Sequence, residues 1–174
     1  VHAGSTPAIR TTKNYLFITM LSESFKKRMN ELAGIKQPGE LNDNFKLWFK
    51  DSKVSKDGQP LIVHHGTGSK FKKFNLKKST QGIIWFTSNK SAIESGDVGA
   101  QGRGHIMDLY ISLQNPAGWD EYDKYMLGQL KNMGYDGVIL PDGDGFDGFV
   151  FHPNQIKSVM NDGSWDLNDS NIYS

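Results

Sequence analysis

Downstream of Asn42 the chain switches between two hydrophobic rhythms, and each switch predicts an element. NDNFKLWFKDS places Phe45, Trp48 and Phe49 at spacings of three and four, the apolar stripe of a short helix. SKVSKDGQPLIVHHGTG then reads as a strand around Val54, a Lys-Asp-Gly turn, and an apolar strand from Pro60 to His65. After a lysine-rich loop, a second buried strand is expected over residues 83–87, and NKSAIES follows as a short helix. HIMDLYISL (residues 105–113) alternates as a further strand. Residues 122–133 read as one helix with Met126, Leu127 and Leu130 inside. GYDGVIL gives a strand near residues 138–140, and GFVFH gives its partner. Mixed strands with short peripheral helices make this an α+β chain, not a doubly wound parallel sheet.

Outside that region the signals thin out. Residues 22–34 carry a helix pattern: Ser22 or Ser24 as cap, Phe25, Met29 and Leu32 on one face, and Gly34 as stop. Lys26, Lys27 and Arg28 fall mostly on the opposite side, the solvated face of an amphipathic helix. YLFITML (residues 15–21) follows two basic residues but is too short for a secretory signal and lacks a cleavage site. The expected organisation is a poorly ordered leader over residues 1–19, with Met20 as a plausible internal start, and a helix with linker over 20–41. The main domain spans 42–160. A tail that docks on that domain covers 161–174.

Bulk properties narrow the chemistry. Cysteine is absent from the 174 residues, which excludes thiolate nucleophiles, zinc–thiolate sites and a disulfide framework. That is compatible with a cytoplasmic location. The formal net charge of +1 gives no global field for nucleic acid or membrane, and no apolar run is long enough to cross a bilayer. PDGDGFDG (residues 141–148) hints at a calcium loop. An EF-hand register begun at Asp142, however, puts Phe146 and Pro153 where oxygen ligands belong, so no metal site is expected.

Three short pieces carry the candidate chemistry: VHHGTG (residues 63–68), GIIWFTSN (82–89) and FDGFVFHP (146–153). His64 and His65 are neighbours on a strand and point to opposite faces, so only one enters a given cleft. His65 directly precedes Gly66-Thr67-Gly68, where backbone can approach a ligand. An imidazole there suits a ribose hydroxyl, and the Gly66 amide and carbonyl suit a carboxamide. The blander reading is a satisfied or exposed strand histidine. In IIWFT, Ile84 and Phe86 go one way and Trp85 and Thr87 the other, leaving the indole as core or as a stacking platform. Asp147, at the lip of the GFVFH strand, is placed to support positive charge on a sugar. The lysines of SKFKKFNLKKS read as a solvated loop, or as neighbours of a pyrophosphate.

In that order and spacing these motifs resemble the ADP-ribosyltransferases of polyvalent proteins, in the histidine-tyrosine-glutamate division of that superfamily. Such proteins occur in phage, mobile elements, toxins and related effectors. FKLWFKDSKV, KDGQPLIVHHGTG, WFTSN, ISLQNP, MGYDGVIL and FVFHPNQIKSV carry the resemblance, from about residue 44 to 159. It implies a split, mixed or antiparallel sheet with NAD as co-substrate. By that resemblance His65 binds the adenosine ribose, Gly66 holds the nicotinamide amide, and Thr67 accompanies the turn. Trp85 stands where the family has a stacking tyrosine. The serine after the second strand is Ser88 or Ser91, and Asp147 takes the place of the catalytic glutamate. Two departures stand out: Asp147 is one methylene shorter than glutamate, and Gly96 occupies roughly the place of a second stacking tyrosine.

The implied activity is NAD-dependent mono-ADP-ribosyl transfer to a macromolecular acceptor, expected to be a host protein; a nucleic-acid acceptor is possible but not indicated. The alternatives are NAD hydrolysis by the same residues, or an inactive nucleotide- or protein-binding module on the same fold. The expected state is a monomer in the cytoplasm, the host's if phage-encoded. A toxin, a virion-carried modifier and an inhibitor of host defence remain equal biological readings.

Overall fold

The computed structural model describes Phe25, Arg28, Gly39 and residues 41–96 and 104–174. Residues 1–37 and 38–174 form two units. In the first, Phe25 and Arg28 are helical; the rest of the expected helix over 22–34, and the leader before it, lie outside the described residues.

The first described residue of the second unit is Gly39, whose amide donates to the Val159 carbonyl, and helix α1 (Asp43–Phe49) follows. Asn42 caps α1, its side chain accepting from the Phe45 amide. The predicted stripe of Phe45, Trp48 and Phe49 is buried, and the Trp48 indole donates to the Asn154 carbonyl at 2.9 Å. Next comes a small hairpin, β1 (Ser55–Lys56) with β2 (Gln59–Pro60). Its turn residues Asp57 and Gly58 both have positive φ, 51° and 75°, as a tight hairpin of right-handed twist requires. Val54, expected within a strand, is a fully buried residue just before β1.

Among the described residues the main sheet has seven strands: β3 (Val63–Thr67), β4 (Ile84–Thr87), β5 (His105–Ile111), β6 (Pro116–Ala117), β7 (Gly137–Asp142), β8 (Gly145–Val150) and β9 (Ile156–Ser158). Their order is β6-β7-β8-β4-β3-β5-β9. Only β6 and β7 run parallel; the other pairs are antiparallel, so the sheet is mixed and the class is α+β. The apolar strand begins three residues later than the pattern suggested, because Pro60 belongs to the β1–β2 hairpin.

Directly opposed residues share a face, so the register assigns each side chain to one of two layers. Val63, Ile84, Phe86, Leu109, Ile111 and Val150 pack with Ile156 and Ile172 on one face. Ile83, Ala117, Val138, Leu140, Phe149 and Phe151 pack on the other, under Leu130. Between β4 and β5 lies helix α2 (Lys90–Ser95), capped by Asn89 and ended by left-handed Gly96 at φ 86°.

Residues 122–133 do not form the single helix that their pattern suggests. Helix α3 (Trp119–Lys124) stops at Tyr125, which is extended, and α4 (Leu127–Asn132) restarts after it. The Gln129 side chain accepts from the Met126 amide, which makes Met126 the cap of α4, not an inward residue. Met126 is 79 % exposed, and Leu130 alone of the expected trio is fully buried. The tail is docked: Trp165 packs among Phe45, Trp48 and Tyr110, and Ile172 joins the core.

Gly148 on β8 is a packing requirement. A Cβ there would lie 2.6 Å from the Phe86 ring and 2.6 Å from the Val138 carbonyl, both fixed groups. Gly148→Ala is therefore expected to destabilise the domain by ~1–3 kcal/mol. Urea unfolding followed by tryptophan fluorescence checks this; an unchanged midpoint would contradict the packing argument.

Candidate active site

Strands β3 and β4 are neighbours in the sheet yet share one residue pair, His64 opposite Thr87. On its other edge β3 pairs with β5 along all five residues, and β4 pairs with β8 along all four. The sheet therefore opens between β3 and β4 while each strand stays anchored on its far side.

His65 occupies the opening. Its Nδ1 lies 2.7 Å from the Trp85 carbonyl oxygen. A carbonyl can only accept, so Nδ1 carries the proton, and in the neutral ring Nε2 is left as an acceptor. The imidazole thus satisfies a main-chain carbonyl that the parted strands leave without a ladder partner. Burial holds the His65 pKa below the ordinary histidine value, and the bond to Trp85 offsets part of that. The ring also packs edge-on against Phe74, centroids 5.0 Å apart.

Two cavities adjoin at this opening. One, of about 310 Å³, is lined by His64, His65, Gly66, Trp85, Thr87 and Asp147, with Phe86 and Ile93 as apolar walls. The other, of about 710 Å³, lies toward the lysine-rich loop and includes Thr67, Phe71, Phe74 and Lys78. His65 and Trp85 line both. Their sizes fall in the range of small-molecule sites.

The residues singled out from the sequence are distributed unequally over these spaces. His65, Gly66, Trp85 and Asp147 converge on the smaller cavity, although 82 residues separate His65 from Asp147 in the chain. Trp85 is 38 % exposed, with one edge against Phe149 (centroids 4.8 Å apart). Thr67 lies in the larger cavity, its hydroxyl tied into a turn with Ser69. Ser88 precedes α2 and spends its Oγ on the Phe146 amide at 2.8 Å, which fastens β8 beside Asp147. Ser91 sits in the first turn of α2 and donates to the Asn89 side chain. Of the lysines, Lys73 is paired with Asp169 of the tail at 2.6 Å. That pairing, the Asn171 amide and the Ser174 hydroxyl hold the Asp169 carboxyl well below the usual carboxylate range.

The register adds residues that motif reading passed over. Asp147 faces Thr87, Thr87 faces His64, and His64 faces Asp108, so these four form one row across β8, β4, β3 and β5. His65 belongs to the opposite face, opposite Met107, and reaches the cleft only through the opening. The single sequence signal for the row was alternation: Asp108 is the carboxylate of HIMDLYI, on the face opposite Met107 and Leu109. Among the described residues no cluster of His, Asp and Glu could hold a metal ion, and no helix is long and apolar enough to cross a membrane.

Neither the curated proteins nor the solved structures contain a match to this chain. A family description does match: residues 55–129 fit that of the ADP-ribosyltransferase in polyvalent proteins. The stretch runs from β1 into α4 and contains His65, Gly66, Thr67, Trp85, Ser88 and Ser91, with Asp147 beyond its end. The split mixed sheet and this match agree with the resemblance carried by the motifs: residues 55–129 are similar to the ADP-ribosyltransferases of polyvalent proteins.

Proposed function

We propose that this domain cleaves the bond between nicotinamide and ribose in NAD and transfers the ADP-ribosyl group to a macromolecular acceptor, a protein being the expected class. The observation that carries the reading is the convergence of His65, Trp85 and Asp147 on one cleft where two strands part. In this reading nicotinamide lies in the smaller cavity, stacked on Trp85, with its carboxamide held by the Gly66 main chain. The adenosine half lies in the larger cavity. There the His65 Nε2, left as an acceptor by the bond to Trp85, takes a ribose hydroxyl. Ile93 supplies an apolar wall of the smaller cavity.

Asp147 is the electrostatic element. As the bond to nicotinamide lengthens, positive charge develops on the ribose, and a carboxylate facing it favours that state over the ground state. Its side chain is shorter than glutamate by about 1.5 Å, roughly one bond length projected along the chain. Three contacts fix the strand that carries it. Gly145 lets Ser88 approach, Gly148 lets Phe86 lie across β8, and Ser88 bonds the Phe146 amide. Release of nicotinamide with water as acceptor would use the same residues.

Free nicotinamide released from NAD tests the assignment directly. Asp147→Ala is expected to lower the rate by ~100-fold or more at unchanged fold, the scale of a lost transition-state partner. Equal rates for both proteins would remove Asp147 from the mechanism. Trp85→Ala is expected to weaken NAD binding by about 1–3 kcal/mol, read by calorimetric titration, since one stacking face is lost.

A pH effect follows from His65. Its folded-state pKa is depressed, so between that value and about 6.5 the unfolded chain binds more protons than the folded one. Stability therefore rises with pH through this window and is lost on acidification. The thermal midpoint of the wild type should fall between roughly pH 7 and pH 5. In His65→Gln, which keeps an amide donor for the Trp85 carbonyl, the fall should be smaller. Identical pH profiles would contradict the burial of this ring.

A further inference from the structure

His64 is not accounted for by the site just described. It lies on the face of Asp147, two strands away across Thr87. At 4.7–4.9 Å per strand the two main chains stand about 10 Å apart. Its Nδ1 is 2.8 Å from Asp108 Oδ1, and Lys90 Nζ of α2 approaches the same oxygen at 3.6 Å. The side chain is only 15 % exposed, yet it lines the smaller cavity together with Asp147. A carboxylate accepts, so Nδ1 donates, and the neutral ring keeps its lone pair on Nε2. No described residue bonds to that nitrogen. A histidine held by a carboxylate on one nitrogen, with the other free in a cleft, is built as a proton acceptor.

We propose that His64, oriented by Asp108, is the general base for the acceptor in the reaction proposed above, and that the acceptor is therefore an O–H nucleophile. This deepens that reading and rests on it. The two polar walls of the cavity divide the work. Asp147 faces the ribose as nicotinamide leaves, and His64 faces the space from which the acceptor arrives. A separation of this order leaves room for a nucleophile between the sugar and the base, as in inverting glycoside cleavage. In the step itself the acceptor oxygen forms a bond to the ribose anomeric carbon. The bond from that carbon to the nicotinamide nitrogen breaks, and its electron pair leaves with neutral nicotinamide. The acceptor proton passes to His64 Nε2 and then to solvent. A carboxylate acceptor, already ionised at neutral pH, would need no such base; a hydroxyl or water does. Asp108 acts here as a positioning residue through His64. The described ionisable groups facing the imidazole are Asp108 of β5, Lys90 of α2 and Asp147 of β8.

The test uses the full chain with NAD and two nucleophiles, water and azide, with nicotinamide release and product identity as readouts. Azide is already an anion and needs no base. His64→Gln is expected to lower release in water by ~100-fold and to remove the acid limb of the kcat/KM profile. Added azide should restore most of the rate, with formation of the ADP-ribosyl azide. Asp147→Ala should not be rescued. Asp108→Asn should lower kcat with little change in KM, and it provides a second variant should His64→Gln fold poorly. Wild-type rate and pH profile in His64→Gln, or a loss that azide does not repair, would overturn the base role alone. Absence of nicotinamide release from the wild type with either nucleophile would instead overturn the transferase reading and the base role with it.

Discussion

The bond from the His65 ring to the Trp85 carbonyl is the constraint on which the cleft depends. Two strands of one sheet cannot part without leaving main-chain groups unpaired, and a buried unpaired carbonyl is costly. Here β3 and β4 separate beyond the His64–Thr87 pair, and the imidazole takes the carbonyl that a ladder bond would otherwise hold. One side chain thus props the opening, satisfies its edge, and presents a nitrogen of fixed tautomer to the space created. The anchoring of β3 on β5 and of β4 on β8 lets this local break survive in an otherwise continuous sheet.

Rigidity around that opening comes from residues with no chemistry of their own. Gly148 admits the Phe86 ring, and Gly145 admits Ser88, whose hydroxyl bonds the Phe146 amide beside Asp147. Asn89 caps α2, which brings Ile93 into the cleft wall and Lys90 toward Asp108. At the far edge of the sheet, Lys157 donates to the Asp169 and Asn171 carbonyls, and Lys73 pairs with Asp169. The tail is thereby clamped beside the loop that lines the larger cavity. In the role proposed for Asp147, a carboxylate shorter than glutamate places a premium on such fixed geometry, because catalytic contributions decline steeply with small misplacements.

What the sequence made legible was what local periodicity encodes. Phe45, Trp48 and Phe49 face inward because a 3.6-residue repeat has no other burial solution, and Trp85 and Thr87 share a face because strands alternate. Asp57-Gly58 read as a hairpin turn and is one. Met126 misled, since its apolar character fits a continuous helix while Gln129, three residues on, caps a new one. Trp165 and Ile172 lie in a stretch without periodicity, so their burial depends on partners distant in sequence. The same limit applied to the site. VHHGTG and FDGFVF located its walls, but local alternation alone does not tell which histidine shares a face with Asp147. That choice is set by register among four strands, a property of long-range hydrogen bonding.

The adjacent pair of histidines resolves into two environments that pull in different chemical directions. His65 is partly buried beside Phe74, which disfavours its charged form, and the bond to the Trp85 carbonyl offsets only part of that. His64 is bonded to a carboxylate and lines the cleft together with a second one. A binding role requires a fixed, neutral acceptor, whereas a base must change charge within each cycle. Alternation along β3 gives consecutive residues these two environments, because it sends one ring through the opening and the other across the face that carries Asp147.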